Sequence, residues 1–108
     1  MTAKTFEKLL LEAVDDALIS LGDSAREAIY FHLENKFDIS RENIPQSLEG
    51  FLEGLEKIFG VGARFLEILM MKELYRRIEQ PLEWNESKEF MFIEYVEAAK
   101  HSFLKINK

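Results

Sequence analysis

Hydrophobic residues recur along this chain every three or four positions, with charged residues between them, which is the period of an α-helix packed on one side. The pattern predicts five helices, over residues 6–21, 24–37, 45–59, 62–78 and 86–104. A chain of 108 residues is too short to form two independent cores. We therefore expect an all-α fold of about five helices in a single domain spanning residues 1–108.

Two glycine junctions divide the helical pattern into hairpins. Gly22 follows the first predicted helix and Gly60 the third, and in both places the next helix starts almost at once. Glycine most easily adopts the left-handed conformation that closes a helix, so we expect a positive φ at Gly60. Ser24 and Glu27 fit a capping box at the start of the second helix, with Asp23 as the alternative cap. The sequence thus predicts two helical hairpins with glycine turns and a closing C-terminal helix.

The fourth predicted helix is apolar on nearly every side, which is typical of a helix at the centre of a domain. Its apolar residues are Phe65, Leu66, Ile68, Leu69, Met70 and Met71. We expect Phe59, Leu66 and Leu69 to be almost fully buried.

Gly50 and Gly54 lie four residues apart in the third predicted helix. They could let a partner backbone approach closely, or they could be tolerated weak points that each cost about 1 kcal/mol relative to alanine. We favour the second interpretation.

Composition and charge narrow the class of protein. The net charge is −6, and all of it arises in residues 1–60, where six Lys and Arg face twelve Asp and Glu. An acidic half repels phosphate, which disfavours nucleic-acid binding as a function. No cysteine is present, so disulfides and thiolate-ligated zinc are excluded. The chain starts without an apolar signal segment, and the apolar run 65–71 is interrupted by Glu67 and too short to span a bilayer. We expect a cytoplasmic protein without membrane contact.

Two polar residues fall inside apolar stripes and are candidates for buried polar groups. His32 projects between Ala25, Ala28 and Ile29, where histidine is most often a hydrogen-bonded core residue rather than a ligand or base. Glu67 is the one carboxylate within the apolar run of the fourth helix, and Arg64 is placed to pair with it. A buried carboxylate without a partner would be costly, so we expect a partner or a solvent opening at Glu67. A structural ion pair is favoured over a catalytic acid.

Other segments carry weak functional patterns. Gly60-Val61-Gly62 lacks the strand, the glycine spacing and the lysine of a phosphate-binding loop. The first junction allows a helix-turn-helix, but its second helix carries as many acidic as basic residues. Trp84, after Pro81, is expected to pack over the hairpins or at an interface.

The segments Phe59-Gly60-Val61-Gly62-Ala63 and Tyr30-Phe31-His32-Leu33 carry a family resemblance. Over about residues 10–80, the chain resembles a small archaeal all-helical family named as the fifth Nitrosopumilus output domain. Members of that family are small archaeal proteins or lie beside sensor domains in signalling chains. The resemblance implies a helical fold and a signalling role, and it brings no catalytic residues.

These observations predict a non-enzymatic interaction module, a signalling-output or adaptor protein of an archaeal regulatory system. The alternative is a transcription-associated domain that binds nucleic acid. No nucleophile with its base, carboxylate pair or metal cluster stands out, so no catalytic residue, cofactor or metal is expected. Protein binding or self-association is expected through Tyr30 and Phe31, which lie off the main apolar stripe of their helix.

Overall fold

The computed structural model describes residues 5–82 and 91–106. In this part of the chain there are five α-helices and no strand, which confirms the all-α prediction. The helices are α1 (Phe6–Ile19), α2 (Asp23–Phe37), α3 (Leu48–Phe59), α4 (Ala63–Arg77) and α5 (Phe92–Ile106). Short 3-10 helices over Arg41–Gln46 and Gly60–Gly62 lead into α3 and α4.

The predicted positive φ at Gly60 is confirmed, and Gly22 also has a positive φ, but their ψ values of −133° and 151° differ from that of the left-handed helical conformation. Gly22 has φ +107° and Gly60 has φ +59°, values that side chains with a Cβ rarely adopt. A Cβ at either position would meet no atom within 4 Å. The turns therefore require glycine for its backbone conformation and not for space, and they form the two predicted hairpins.

The capping-box prediction for α2 is wrong. The helix begins at Asp23, with Gly22 at the N-cap position, and no side chain caps it. Because the chain becomes helical directly after Gly22, Ser24 already lies inside the first turn and cannot act as a cap. Asp23 instead forms an ion pair of 3.2 Å with Arg26.

The core forms where α1 packs along α4, the most extensive contact between two helices of the described chain. Residues from all five helices and the loop before α3 are buried there, among them Leu10, Val14, Leu18, Leu33, Ile44, Phe51, Leu55, Met70, Met71 and Leu74. The helix α5 closes one side. The Tyr75 hydroxyl donates a hydrogen bond of 2.9 Å to the Tyr95 carbonyl oxygen, and the Phe6 and Phe103 rings lie 5.9 Å apart.

The helix α4 is central but not covered on every side. Leu66 is 4% exposed, as predicted, whereas Leu69 is 39% exposed and Phe65 is 74% exposed. Phe59 is half-buried. The expectation of near-complete burial is therefore wrong for Leu69 and Phe59. The reason is that α1, α3 and α5 contact α4 on its inner side and leave Phe65 and Leu69 facing solvent.

The atoms nearest to a Cβ on Gly50 or Gly54 are side-chain atoms of neighbouring segments rather than a partner backbone, and the favoured interpretation of tolerated weak points is wrong. A Cβ on Gly54 would lie 2.5 Å from Leu33 Cδ2 and 3.4 Å from Phe37 Cδ2. A Cβ on Gly50 would lie 2.9 Å from Ile39 Cδ1. The absence of side chains on this side of α3 therefore lets residues of α2 and its following loop pack directly against the helix backbone.

The last helix starts later than the sequence predicts. Met91 is not helical and α5 begins at Phe92. The predicted start at Glu86, and Trp84 with its expected packing, lie outside the described residues.

Candidate interaction surface

An apolar row lies on the solvent side of α4 and its preceding turn. Val61 is 96% exposed, and Phe65 and Leu69 follow it at intervals of four residues, the spacing that places side chains on one side of a helix. We call these three residues the α4 row. Burying such side chains is favourable, and an exposed group of them is typical of a binding surface.

Two cations flank Phe65 and Leu69 of the α4 row, Arg64 one residue before Phe65 and Lys72 three residues after Leu69. Arg64 and Lys72 are exposed and lie eight residues apart, about 12 Å along the helix axis. Within the described part of the chain, neither forms an ion pair. Their charges are thus available to a partner, where opposite charges would set orientation and speed association.

A hollow of about 460 Å³ adjoins the row at the turn between α3 and α4. It is lined by Glu56, Gly60, Val61, Ala63, Arg64 and Glu67. Burial raises the pKa of Glu67, the Arg64 charge lowers it in part, and the Glu56 charge raises it further.

Glu67 is half-buried and forms no ion pair with Arg64 within the described structure. The favoured ion pair with Arg64 is therefore wrong, whereas the alternative of a solvent opening agrees with the hollow that Glu67 lines. The hollow at the turn leaves the carboxylate enough solvent contact to stay without such a partner.

The residues of the predicted interaction face, Tyr30 and Phe31, have different environments. Phe31 is 70% exposed, as expected of a binding residue. Tyr30 is half-buried against the core, and its hydroxyl donates a hydrogen bond of 2.5 Å to Asp15 Oδ1. Tyr30 therefore also holds α2 against α1, and the joint face of Tyr30 and Phe31 stays a prediction.

Asp15 also accepts a bidentate hydrogen bond from Arg41, which lies in the 3-10 helix before α3. Arg41 Nε donates to Asp15 Oδ1 at 3.1 Å, and Nη2 donates to Oδ2 at 2.5 Å. Burial favours the neutral carboxyl, but the hydrogen bonds from Arg41 and Tyr30 outweigh it and lower the pKa of Asp15. Burial and the Asp15 carboxylate raise the pKa of Tyr30. The charged side chains of Asp15 and Arg41 and the neutral hydroxyl of Tyr30 therefore connect α1, α2 and the Arg41–Gln46 segment.

His32 is exposed, so the prediction of a buried polar residue at this position is wrong. The core-facing residues of α2 are Ile29 and Leu33. His32 precedes Leu33 and is rotated by about 100° around the helix, which turns it out of the stripe. Its ring lies 6.2 Å from that of Phe37 and contributes to the surface of the helix.

A second polar network, which the sequence reasoning missed, connects α1 to α4. Arg77 contacts Glu73 Oε2 at 2.7 Å and Glu12 Oε1 at 3.5 Å, and it forms a further ion pair with Asp16. The Arg77 side chain is only 16% exposed. Burial lowers its pKa and the hydrogen bonds to Asp16 and Glu73 more than offset this, so the guanidinium stays charged. The network secures the main helix pair near the carboxyl end of α4.

Comparison with protein-family models, with curated proteins and with solved structures finds no match for the chain. In the described residues, no helix is long and apolar enough to cross a membrane. No group of three or more His, Cys, Asp or Glu side chains in that part of the chain is placed to hold a metal ion. The case for a function therefore rests on the surfaces and networks above.

Proposed function

We propose that this chain is a non-enzymatic helical interaction module that binds a protein partner through the outer face of α4. The observation that carries the proposal is the α4 row, Val61, Phe65 and Leu69, exposed beside the solvent-accessible cations Arg64 and Lys72. An apolar strip with charged neighbours is the usual docking surface for an amphipathic helix.

The inner contacts of α4 support this assignment because they make its outer face a rigid platform. Leu66, Met70 and Leu74 are buried, and the Arg77 network holds α4 against α1. A binding face on a rigid helix loses little conformational entropy when a partner docks. Phe31, which lies on α2, belongs to a different surface.

The biological setting follows from the family resemblance. The resembling Phe59–Ala63 turn is the segment that exposes Val61 at the head of the α4 row. We therefore propose a signalling-output or adaptor role in an archaeal regulatory system, with the module acting in the cytoplasm. In that role α4 would pass on a signal by holding or releasing its partner.

The experiment compares capture from a lysate of the protein's own cells by three immobilised forms. These are the wild-type chain, Phe65→Glu and, as a matched control, Leu104→Glu, which changes an exposed residue of α5. We expect Phe65→Glu to lose partner proteins that the wild type and Leu104→Glu retain. Equal capture by all three forms would refute the proposal. Retention of duplex DNA that weakens as salt rises would favour nucleic-acid binding instead.

A further inference from the structure

The outer face of α2 carries one exposed aromatic residue between two carboxylates. Phe31 is 70% exposed, and Glu27 and Glu34, at four residues before it and three after, are its neighbours on the helix surface. The two carboxylates lie about 10 Å apart along the axis. Neither forms an ion pair within the residues that the structure describes. We call Glu27, Phe31 and Glu34 the α2 face.

The α2 face and the α4 row have complementary chemistry. One presents an aromatic ring between two anions, and the other presents Phe65 and Leu69 between the cations Arg64 and Lys72. The spacings of the bracketing charges, about 10 Å and about 12 Å, match closely enough for both pairs to meet when the apolar residues touch.

We propose that the α2 face of one copy of this chain docks on the α4 row of a second copy. The inference rests on the proposed function and names its partner. Charge complementarity favours a second copy of this chain as the partner, because each copy carries both faces. Within the described residues, the bracketing charges of neither face form ion pairs. Residues 1–60 are acidic and residues 61–108 have no net charge, so the α2 face lies in the more negative half of the chain.

Pairing of like faces is disfavoured by the same charges. Two α2 faces would bring Glu27 and Glu34 against their equivalents, and two α4 rows would do the same with Arg64 and Lys72. Repulsion of this kind is a common source of specificity at interfaces. The contact is therefore expected between different faces, so that one copy contributes α2 and the other contributes α4.

The contact is expected to be weak and reversible. One helix face on another buries less area than a standard stable interface, which is about 1,600 Å² in total. Weak association suits an output module that must release its partner. It should also weaken with salt, since the bracketing charges are exposed and are screened over about 10 Å at 0.1 M ionic strength.

The experiment uses sedimentation of two surface variants, separately and mixed. Phe31→Glu lacks a working α2 face and Phe65→Glu lacks a working α4 row. We expect the wild type to associate as concentration rises, and each variant alone to associate at least about tenfold more weakly. An equimolar mixture should regain a one-to-one dimer, because each variant supplies the face that the other has lost. A mixture that stays monomeric, or a wild type that stays monomeric, would overturn the proposal.

A second experiment reverses the charges of the α2 face and the α4 row and keeps both aromatic rings. Glu27→Lys with Glu34→Lys should abolish self-association, and so should Arg64→Glu with Lys72→Glu, because in each variant the two faces then carry like charges. Mixing the two variants should recover association, because the α2 face of each then meets an α4 row of opposite charge. Combining all four changes in one chain should restore self-association. Failure of the combined variant to associate, with circular dichroism showing that it is folded, would refute the charge pairing.

Leu104→Glu, on α5, serves as the unaffected control. If the purified chain is monomeric but Phe65→Glu still loses partners from the lysate, the second-copy inference fails and the proposed function stands. If lysate capture is also unchanged, both fail.

Discussion

Replacing Gly54 with alanine adds a methyl group where α2 already packs against α3. The new Cβ would lie 2.5 Å from Leu33 Cδ2, more than 1 Å inside the ordinary carbon–carbon contact distance of about 3.5–4.0 Å. Leu33 is fully buried, and Phe37 lies 3.4 Å from the same Cβ position, so the leucine has little room to retreat.

The expected cost follows from two opposing effects. Overpacking of a dense core costs about 1–3 kcal/mol, and replacing glycine by alanine inside a helix returns about 1 kcal/mol. Because Leu33 is confined, we expect Gly54→Ala to lower the free energy of unfolding by about 1–2 kcal/mol. Gly50→Ala is the matched control, since its Cβ would meet only the end of the Ile39 side chain, at 2.9 Å. That variant should be near neutral.

The assay is urea unfolding followed by far-ultraviolet circular dichroism, with both variants compared at equal concentration. A shift in midpoint with an unchanged slope would report stability alone. If Gly54→Ala is as stable as the wild type or more stable, then α2 does not lie against the α3 backbone as described. In that case the interpretation of Gly54 as a tolerated weak point would be restored.

Three further perturbations test the core and the polar groups. Leu66→Ala should lower the free energy of unfolding by about 2–5 kcal/mol, whereas Leu69→Ala should lower it by less than about 1 kcal/mol. Equal losses in urea unfolding would contradict the finding that neighbouring helices cover only one side of α4. Asp15→Asn should lower stability at neutral pH by about 1–2 kcal/mol. The folded pKa of Asp15 is lowered, so its contribution is present above the ordinary aspartate pKa and is lost as the pH falls through the folded value. The variant's melting temperature should therefore depend less on acid than that of the wild type, and parallel pH profiles would refute the network. Glu67→Gln should raise the melting temperature at neutral pH, because the raised pKa means that the ionised form is disfavoured in the folded state. The gain should vanish below about pH 4, where wild-type Glu67 is protonated, and a variant less stable than the wild type at neutral pH would contradict this account.

Much of the fold is predictable because its determinants are local. Helical periodicity lies within each segment, so the five helices and the burial of Leu66 follow from the order of residues alone. The positive φ of Gly60 follows in the same way from a glycine between two periodic runs. The sequence cannot say which side of α4 its neighbours will cover, and the exposure of Phe65 and Leu69 depends on that.

The polar environment was harder to predict because its partners are distant in the chain. Tyr30 is bound by Asp15, which precedes it by 15 residues, and Asp15 is bound by Arg41, 26 residues further along the chain. No local pattern connects these three. The burial of His32 is wrongly predicted for a different reason. This residue lies at the edge of the apolar stripe, where a rotation by one residue separates a buried position from an exposed one. Phe31 was recognised as a candidate because it lies away from that stripe.

The central claim is that the outer face of α4 binds a protein partner. The most direct measurement is a nitrogen–proton correlation spectrum of isotopically labelled chain in buffer and in a lysate of its own cells. If α4 binds a partner, the amide signals of Phe65, Leu69 and Lys72 should shift or broaden in the lysate, and Phe65→Glu should abolish the effect. Signals along α4 that stay unchanged while those of α5 respond, or a response that survives Phe65→Glu, would contradict it.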